Sequence, residues 1–197
     1  LFIDIFSANL AWSISGSETI SSYRFFVKIL SLTSCFISFV FAFLITNTLN
    51  LEKNFKKILF LFLCFLLFSF FESHTLSYRE IPIFLFLIFS FLLIVEEKTN
   101  ILIPSIIGLL PLISLLWSLD RGIFLLASYI PFFLILVINK KIKELLIISS
   151  CALFSFFVFA ISIGKIEFLS FISNSIDILS SSDMLNGIIH PTPFSDD

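Results

Sequence analysis

The residues best suited to chemistry form one short segment, Trp117-Ser-Leu-Asp-Arg-Gly122, which lies between two long apolar blocks. The carboxylate of Asp120 can accept a proton from a hydroxyl or help to hold a metal ion. The guanidinium of Arg121 can hold phosphate oxygens in a two-pronged fork. A plain turn also fits, with Trp117 as an anchor, Asp120 and Arg121 as a charged stop, and Gly122 for the reversal. The segment therefore predicts either a site for an anionic, phosphate-bearing substrate or a structural turn.

Two further segments carry histidine, whose side chain titrates near neutral pH and can act as an acid, a base or a metal ligand. His74 lies in the polar stretch from Glu72 to Glu80, which also contains Arg79. His190 lies in the C-terminal tail, where the proline that follows it predicts extended backbone. Ordinary polar loops would contain the same residue types. The candidate catalytic residues are Asp120, Arg121 and His190, and the candidate substrate-binding residues are Trp117, Arg79 and His74.

The sequence predicts no metal site and no cofactor. The three cysteines, Cys35, Cys64 and Cys151, fall inside apolar blocks without metal-ligand spacing, so we expect them to be small packing residues. A metal site built from His190, Asp196 and Asp197 is a weaker alternative. The chain has no glycine-rich phosphate loop and no His-Glu-x-x-His, Cys-x-x-Cys or Gly-x-Ser-x-Gly motif. These absences argue against chemistry driven by ATP or by redox change.

The elements that carry these residues are six blocks without any Asp, Glu, Lys or Arg. The chain is 58% hydrophobic and 13% charged, whereas a soluble domain is about 25% charged. A water-soluble core could not enclose six such blocks, but a lipid bilayer requires them. The net charge of −2 gives no basic surface for nucleic acid. The blocks are Ile29–Leu51, Ile58–Phe71, Ile81–Val95, Thr99–Leu119, Gly122–Asn139 and Leu145–Gly164.

We therefore predict an all-α, polytopic transmembrane helical bundle with membrane lipid as its partner. The blocks are apolar on every face, unlike the alternating strands of a membrane barrel. A span needs about 20 apolar residues, so two of the predicted spans are short, and a re-entrant hairpin is the alternative for that pair. The predicted segments are 1–24 (outer or interfacial), six spans at 25–47, 57–73, 81–95, 101–119, 122–139 and 145–164, and an extracytoplasmic amphipathic segment at 165–197. The apolar residues of Ile166–Leu179 predict an interfacial helix on the membrane surface, and an outer loop follows it.

The lysines predict the orientation, because cytoplasmic loops are enriched in Lys and Arg. The loops after the first, third and fifth spans hold Lys53, Lys56, Lys57, Lys98, Lys140, Lys141 and Lys143. The opposite side holds Arg24, Lys28, Arg79, Arg121 and Lys165. This bias places the Asp120-Arg121 pair and the C-terminal segment outside the cytoplasm. The chain begins at Leu1 without methionine and ends at Asp197, so we expect a piece of a longer protein.

Prolines are a further feature of the predicted spans. Pro82 falls at the start of a span, where its missing N–H costs nothing. Pro104, Pro111 and Pro131 fall inside spans, where neighbouring groups must satisfy the carbonyls that each proline frees. We expect kinks at these positions.

The run Leu112-Ile-Ser-Leu-Leu-Trp-Ser-Leu-Asp120, at the end of one span and followed at once by another, resembles part of the O-antigen ligase and polymerase family. Those are polytopic proteins of the bacterial inner membrane that handle polyprenyl-linked glycans on the periplasmic face. The resemblance covers Ile101–Asn139, and the family's large periplasmic loop has no match in this chain. GT-C type glycosyltransferases, which use an outward-facing Asp, are a second resemblance, although the acidic pair usual there is missing around Asp120.

Both resemblances imply glycosyl transfer from a lipid-phosphate donor to an acceptor outside the cytoplasm, at a bacterial inner membrane. Asp120 would be the base or a metal ligand, and Arg121 would steady the phosphate. Two other functions stay open. One is a transporter or flippase subunit for a small molecule or lipid, and the other is a membrane scaffold with no site of its own.

Overall fold

The computed structural model describes residues 2–16, 19–49, 51–72, 78–96 and 100–180. Within these ranges every regular element is helical, which confirms the predicted all-α fold. A single turn of 3₁₀ helix, Tyr78–Glu80, leads directly into the fourth α-helix. The α-helices are α1 (Phe2–Ser15), α2 (Ile20–Thr48), α3 (Lys53–Glu72), α4 (Ile81–Val95), α5 (Leu102–Trp117), α6 (Leu119–Ile138), α7 (Ile142–Ile163) and α8 (Lys165–Ser180).

Four helical segments within the described ranges are long and apolar enough to cross a membrane. They are α2, the continuous segment Tyr78–Val95, α6 and α7. A helix rises 1.5 Å per residue, so about 20 residues cover the hydrocarbon layer. Helix α5 is apolar but has 16 residues. These helices are those of an integral membrane protein, whereas the six-span count stays a prediction.

Two helices begin earlier than their charges suggest. Helix α2 begins at Ile20, because the Thr19 side chain accepts a hydrogen bond from the Ser22 N–H at 3.2 Å and caps the first turn. Helix α6 begins at Leu119, so Asp120 and Arg121 occupy its first turn and not a loop. An acidic residue is favourable there, because the N-terminus of a helix carries partial positive charge. In both helices, charged residues lie inside the helix near its N-terminus and therefore do not mark where the helix begins.

The core lies where α4, α5 and α6 pack together, joined by the first part of α7. The ring of Phe86 on α4 lies 4.8 Å from that of Tyr129 and 5.3 Å from that of Phe132, both on α6. The Phe86–Phe132 pair is edge-to-face, a geometry that is favourable beyond the area it buries, whereas the Phe86 and Tyr129 rings are tilted by 32°. The buried residues of this cluster are Phe86, Leu93, Ile107, Leu110, Leu125, Tyr129, Phe132, Leu136 and Ile148.

Pro111 interrupts the backbone hydrogen bonds of α5, and Tyr129 repairs the break. Because proline has no N–H, the carbonyl of Ile107, four residues earlier, has no partner within its own helix. The buried hydroxyl of Tyr129 on α6 donates to this carbonyl. The expectation that a neighbouring group satisfies a carbonyl freed by proline is confirmed at this position. The bond also fixes the rotation of α6 against α5.

Two glycines allow neighbouring helices to approach closely. A β-carbon on Gly108 of α5 would lie 2.6 Å from the Ile148 carbonyl oxygen and 2.6 Å from the Cys151 β-carbon, both on α7. A β-carbon on Gly122 of α6 would lie 2.6 Å from the α-carbon of Leu115 on α5. Real β-carbons do not come so close, so small size is required at both positions.

Helix α2 packs through a row of small residues spaced four apart, which is one face of a helix. Ser34, Ser38, Ala42 and Thr46 are all buried. Small side chains permit close approach between membrane helices, and α2 contacts both α3 and α4. Two edge-on ring pairs join the C-terminal half of α2 to its neighbours. Phe41 meets Phe91, in the C-terminal half of α4, at 6.3 Å, and Phe43 meets Phe60, in the N-terminal half of α3, at 6.0 Å. Helix α2 is therefore parallel to α4 and antiparallel to α3.

Lysines close the C-terminal ends of α2 and α4. The Lys56 ammonium donates to the Asn47 carbonyl at 3.0 Å. The Lys141 ammonium donates to the carbonyls of Leu93, Ile94 and Glu96, the last at 2.7 Å. A cation is favourable at a helix C-terminus, where carbonyls lack intrahelical partners. The contact also places the end of α4 beside the turn between α6 and α7.

The chain divides into two compact units within α7, Leu1–Leu153 and Phe154–Asp197. In the second unit, α7 ends at Ile163 and α8 begins at Lys165. The ring of Phe159 on α7 lies 6.2 Å from that of Phe168 and 5.6 Å from that of Phe171, both on α8. The two helices of this unit are therefore in direct aromatic contact.

Candidate functional site at the turn between α5 and α6

The candidate site is built around a turn of one residue, Ser118. Its backbone is extended, with φ −158° and ψ 117°. Its N–H donates to the Ser114 carbonyl at 2.8 Å, and its carbonyl accepts from the Gly122 N–H at 2.8 Å. Ser118 therefore ends α5 and begins α6, and the reversal lies there. The expectation that Gly122 makes the reversal is wrong, because Gly122 lies within α6 and serves its close crossing with α5.

Asp120 is the more exposed carboxylate of the site. Its side chain is 52% exposed and lies in the first turn of α6. The Ser118 hydroxyl donates to Oδ1 at 2.5 Å, and Oδ2 lies 3.7 Å from Nε of Arg121. The serine therefore orients the carboxylate, while about half of the carboxylate side chain stays exposed.

Glu80 holds Arg121 in place. Oε1 of Glu80 lies 2.8 Å from Nε of Arg121, and the glutamate side chain is only 13% exposed. Nε is buried and makes no aligned hydrogen bond within the described ranges, so the contact is an ion pair. A carboxylate this buried needs a charged partner, because a buried charge left unpaired is strongly destabilising. Glu80 therefore acts as the anchor that orients the guanidinium.

The sequence reasoning missed Glu80 as a site residue. It lies among the charges of the stretch from Glu72 to Glu80, which also fits a polar loop. One signal was available: Glu80 immediately precedes the start of a predicted span, and Arg121 immediately precedes another. Both residues were therefore expected at the same membrane edge, where opposite charges can pair.

Tyr78 and Arg79 complete the site from the 3₁₀ turn. The Trp117 indole N–H donates to the Tyr78 carbonyl at 3.0 Å, across 39 positions of sequence. This bond fixes the indole ring at the end of α5. Arg79 is partly buried and interacts electrostatically with both Glu80 and Asp120. The site thus combines two cations and two anions at one end of α4, α5 and α6.

The structure brings together four of the six predicted site residues: Arg79, Trp117, Asp120 and Arg121. His74 and His190 lie outside the described residues, as do Asp196 and Asp197. Within the described ranges, no group of three His, Cys, Asp or Glu side chains could hold a metal ion.

The cysteines fit the packing role expected of them. All three carry free thiols; Cys35 is buried, while Cys64 and Cys151 are partly buried. Cys151 lies where Gly108 lets α5 approach α7.

Comparisons with known protein families, with curated proteins and with solved structures found no match. The resemblance of Leu112–Asp120 to glycan-assembly proteins therefore stays a prediction, as do the transporter and scaffold alternatives. The functional argument depends on the chemistry of the cluster formed by Arg79, Glu80, Asp120 and Arg121.

Proposed function

We propose that the protein is a membrane enzyme of glycan assembly that uses a lipid-phosphate-linked sugar at the end of the bundle where α5 meets α6. The observation that carries the proposal is the pairing of an exposed carboxylate, Asp120, with an anchored guanidinium, Arg121, 3.7 Å away. Transfer of a sugar from a phosphate requires a group that takes a proton and a group that stabilises the leaving phosphate. The two residues are suited to these two roles.

Arg121 would bind the phosphate. Because its closest contact with Glu80 is through Nε, the edge formed by the two Nη nitrogens is the one that would meet phosphate oxygens in a two-pronged contact. The first turn of α6 adds backbone N–H groups and partial positive charge at the same place. Arg79 supplies a second positive charge near both carboxylates. The phosphate would therefore meet a positive group whose orientation Glu80 already fixes.

Asp120 would act as the base. The acceptor hydroxyl oxygen forms a bond to the anomeric carbon, and the bond from that carbon to the phosphate oxygen breaks. The hydroxyl proton passes to the Asp120 carboxylate, and the negative charge that stays on the lipid phosphate is stabilised by Arg121. The hydrogen bond from Ser118 orients Oδ1, which leaves Oδ2 to receive the proton.

Trp117 would contribute binding rather than chemistry. Its N–H is already bonded to the Tyr78 carbonyl, so the indole presents an apolar surface held in one orientation. Indole rings are enriched at the interface of membranes, where one side is apolar and the other is wet. A prenyl chain or the apolar face of a sugar would pack there.

The test separates phosphate binding from transfer. The protein is reconstituted in nanodiscs, and its binding of a polyprenyl phosphate is compared with binding of the neutral polyprenol. Arg121→Ala is expected to abolish the preference for the phosphate, whereas Asp120→Asn is expected to keep it. In cells whose surface glycan depends on this protein, both variants are expected to lose glycan assembly. Lys140→Ala, at the other end of α6, is the control and should change neither result.

Two outcomes would refute the proposal. One is equal binding of phosphate and alcohol by the unaltered protein. The other is glycan assembly that is unchanged in both Asp120→Asn and Arg121→Ala.

A further inference from the structure

Helix α8 follows α7 after one residue, Gly164. Its φ of 86° lies in the left-handed region that favours glycine. Helical hydrogen bonding is kept on both sides of it. The Gly164 N–H donates to the Ala160 carbonyl at 3.1 Å, and the Phe168 N–H donates to the Gly164 carbonyl at 3.0 Å. The chain therefore changes direction at one defined position between two intact helices.

The side of α8 that faces α7 is fixed by aromatic contact. Phe168 and Phe171, three residues apart, both meet the ring of Phe159 edge-on. Residues three apart lie on the same face of a helix. The aromatic contact therefore leaves the remaining faces of α8 turned away from the end of α7.

Those remaining faces differ sharply in character. Leu169, Ile172 and Ile176 recur at helical spacing and are between 40% and 59% exposed. A second row, also exposed, is polar and lies on another side of the helix. It consists of Glu167, Ser170, Asn174 and Asp177. Helix α8 thus carries an apolar stripe and a polar stripe along its length.

We propose that α8 lies along the surface of the bilayer, with its apolar stripe among the lipid acyl chains and its polar stripe in water. Helix α7 is long and apolar enough to span the membrane, so its end at Ile163 reaches the membrane surface, where α8 begins. Helix α8 has 16 residues and a polar face, so it is not a span of its own. An amphipathic helix at this level is stabilised by burying its apolar face in lipid.

The charges of α8 indicate how it binds. Lys165 carries one positive charge, whereas Glu167 and Asp177 carry two negative charges. Attraction to anionic headgroups therefore does not drive the contact, and apolar burial does. Salt screens attraction between exposed charges but leaves apolar burial largely unaffected. The position of α8 is consequently expected to be the same in high and low salt and in neutral and anionic bilayers.

The test is a spin-label scan of the full chain in liposomes of neutral phosphatidylcholine. Single cysteines replace Leu169 and Ile176 on the apolar stripe and Ser170 and Asn174 on the polar stripe. Collision rates with oxygen, which concentrates in lipid, and with a water-soluble nickel chelate are then measured. Lipid and water controls are Leu153→Cys, on an exposed apolar position of α7, and Lys140→Cys. The background carries the substitutions Cys35→Ala, Cys64→Ala and Cys151→Ala.

The proposal predicts that labels at 169 and 176 behave like the lipid control, while labels at 170 and 174 behave like the water control. Nickel access at all four positions would overturn it, because α8 would then lie off the membrane. Oxygen access without nickel access at all four would also overturn it, because the helix would be immersed in the bilayer. Shielding of the labels at 169 and 176 from both reagents would also overturn the proposal, because the apolar stripe would then be covered by protein and not by lipid. These results do not depend on Asp120 or Arg121, so this proposal stands or fails apart from the proposed function.

Discussion

Replacement of Tyr129 by phenylalanine should destabilise the helix bundle through a single carbonyl group. The substitution keeps the ring that packs against Phe86 and Phe132, so it opens no cavity. It removes the hydroxyl that donates to the Ile107 carbonyl, which Pro111 has deprived of its helical partner. A buried polar group left without a partner costs about 1–3 kcal/mol, while hydrogen bonds between membrane helices average about 0.6 kcal/mol and reach about 1.7. We expect a loss of about 1 kcal/mol in the free energy of unfolding, a value that is compatible with both figures.

A double-mutant cycle identifies the cause. Pro111→Ala returns an N–H to α5 at the position where the Ile107 carbonyl would accept it. In that background Tyr129→Phe should cost little, because the carbonyl already has a partner. The coupling energy between the two substitutions is therefore expected to be about 1 kcal/mol, which is within the range measured for interacting residues.

The assay is unfolding by a denaturing detergent in mixed micelles, followed by tryptophan fluorescence. Tyr23→Phe is the matched control, because the Tyr23 hydroxyl makes no hydrogen bond within the described ranges. It should not change the midpoint. An equal loss of stability from Tyr129→Phe in the native and Pro111→Ala backgrounds would contradict the reasoning, since the cost would then have nothing to do with the freed carbonyl.

Three other substitutions test other parts of the structure. Gly122→Ala places a β-carbon 2.6 Å from the Leu115 α-carbon, and the overpacking should lower the free energy of unfolding by about 1–3 kcal/mol. The control Ala127→Val, on an exposed part of the same helix, should have little effect in the same unfolding assay. Equal effects of the two substitutions would contradict the close crossing of α5 and α6. Lys141→Met removes the ammonium that donates to three carbonyls at the end of α4 and should lower the free energy of unfolding by about 1 kcal/mol. The control Lys140→Met, at an exposed neighbour, should leave it unchanged. Similar unfolding midpoints for the two variants would contradict the capping role of Lys141. Glu80→Gln removes the charged partner that orients Arg121, so it should lower the unfolding midpoint and weaken the binding of a polyprenyl phosphate. Tighter phosphate binding would contradict the orienting role, because it would show that Glu80 competes with the phosphate for the guanidinium.

The positions of the helices follow from the sequence because the solvent dictates them. A charge-free block must keep its backbone hydrogen bonds internal when it is in lipid, so each block becomes a helix. Helix α4 covers residues 81–95, the range of one predicted span, and α5 lies within the predicted range 101–119. The predicted start of α6, residue 122, lies three residues after the observed start at Leu119. The prediction took a charged residue to lie outside a helix, whereas Asp120 is stable in the first turn of α6.

The contacts between helices could not be predicted in the same way. Whether Tyr129 reaches the Ile107 carbonyl depends on how α6 is rotated against α5, and apolar blocks that look alike on every face contain no signal for that rotation. The pairing of Glu80 with Arg121 joins residues far apart in sequence, and it depends on two helix ends lying side by side. The position of Pro111 predicts that the Ile107 carbonyl needs a partner from outside its own helix. The sequence does not indicate that the Tyr129 hydroxyl provides it.

The most direct test of membrane crossing uses the two ends of α6. In a cysteine-free background, single cysteines are placed at Asp120 and at Lys140, and intact cells or sealed vesicles are treated with a maleimide that does not cross membranes. Helix α6 has 20 residues, or about 30 Å at 1.5 Å per residue, which matches the hydrocarbon layer. The account predicts labelling at position 120 from outside and at position 140 only after the membrane is opened. Labelling of both positions from the same side would contradict it.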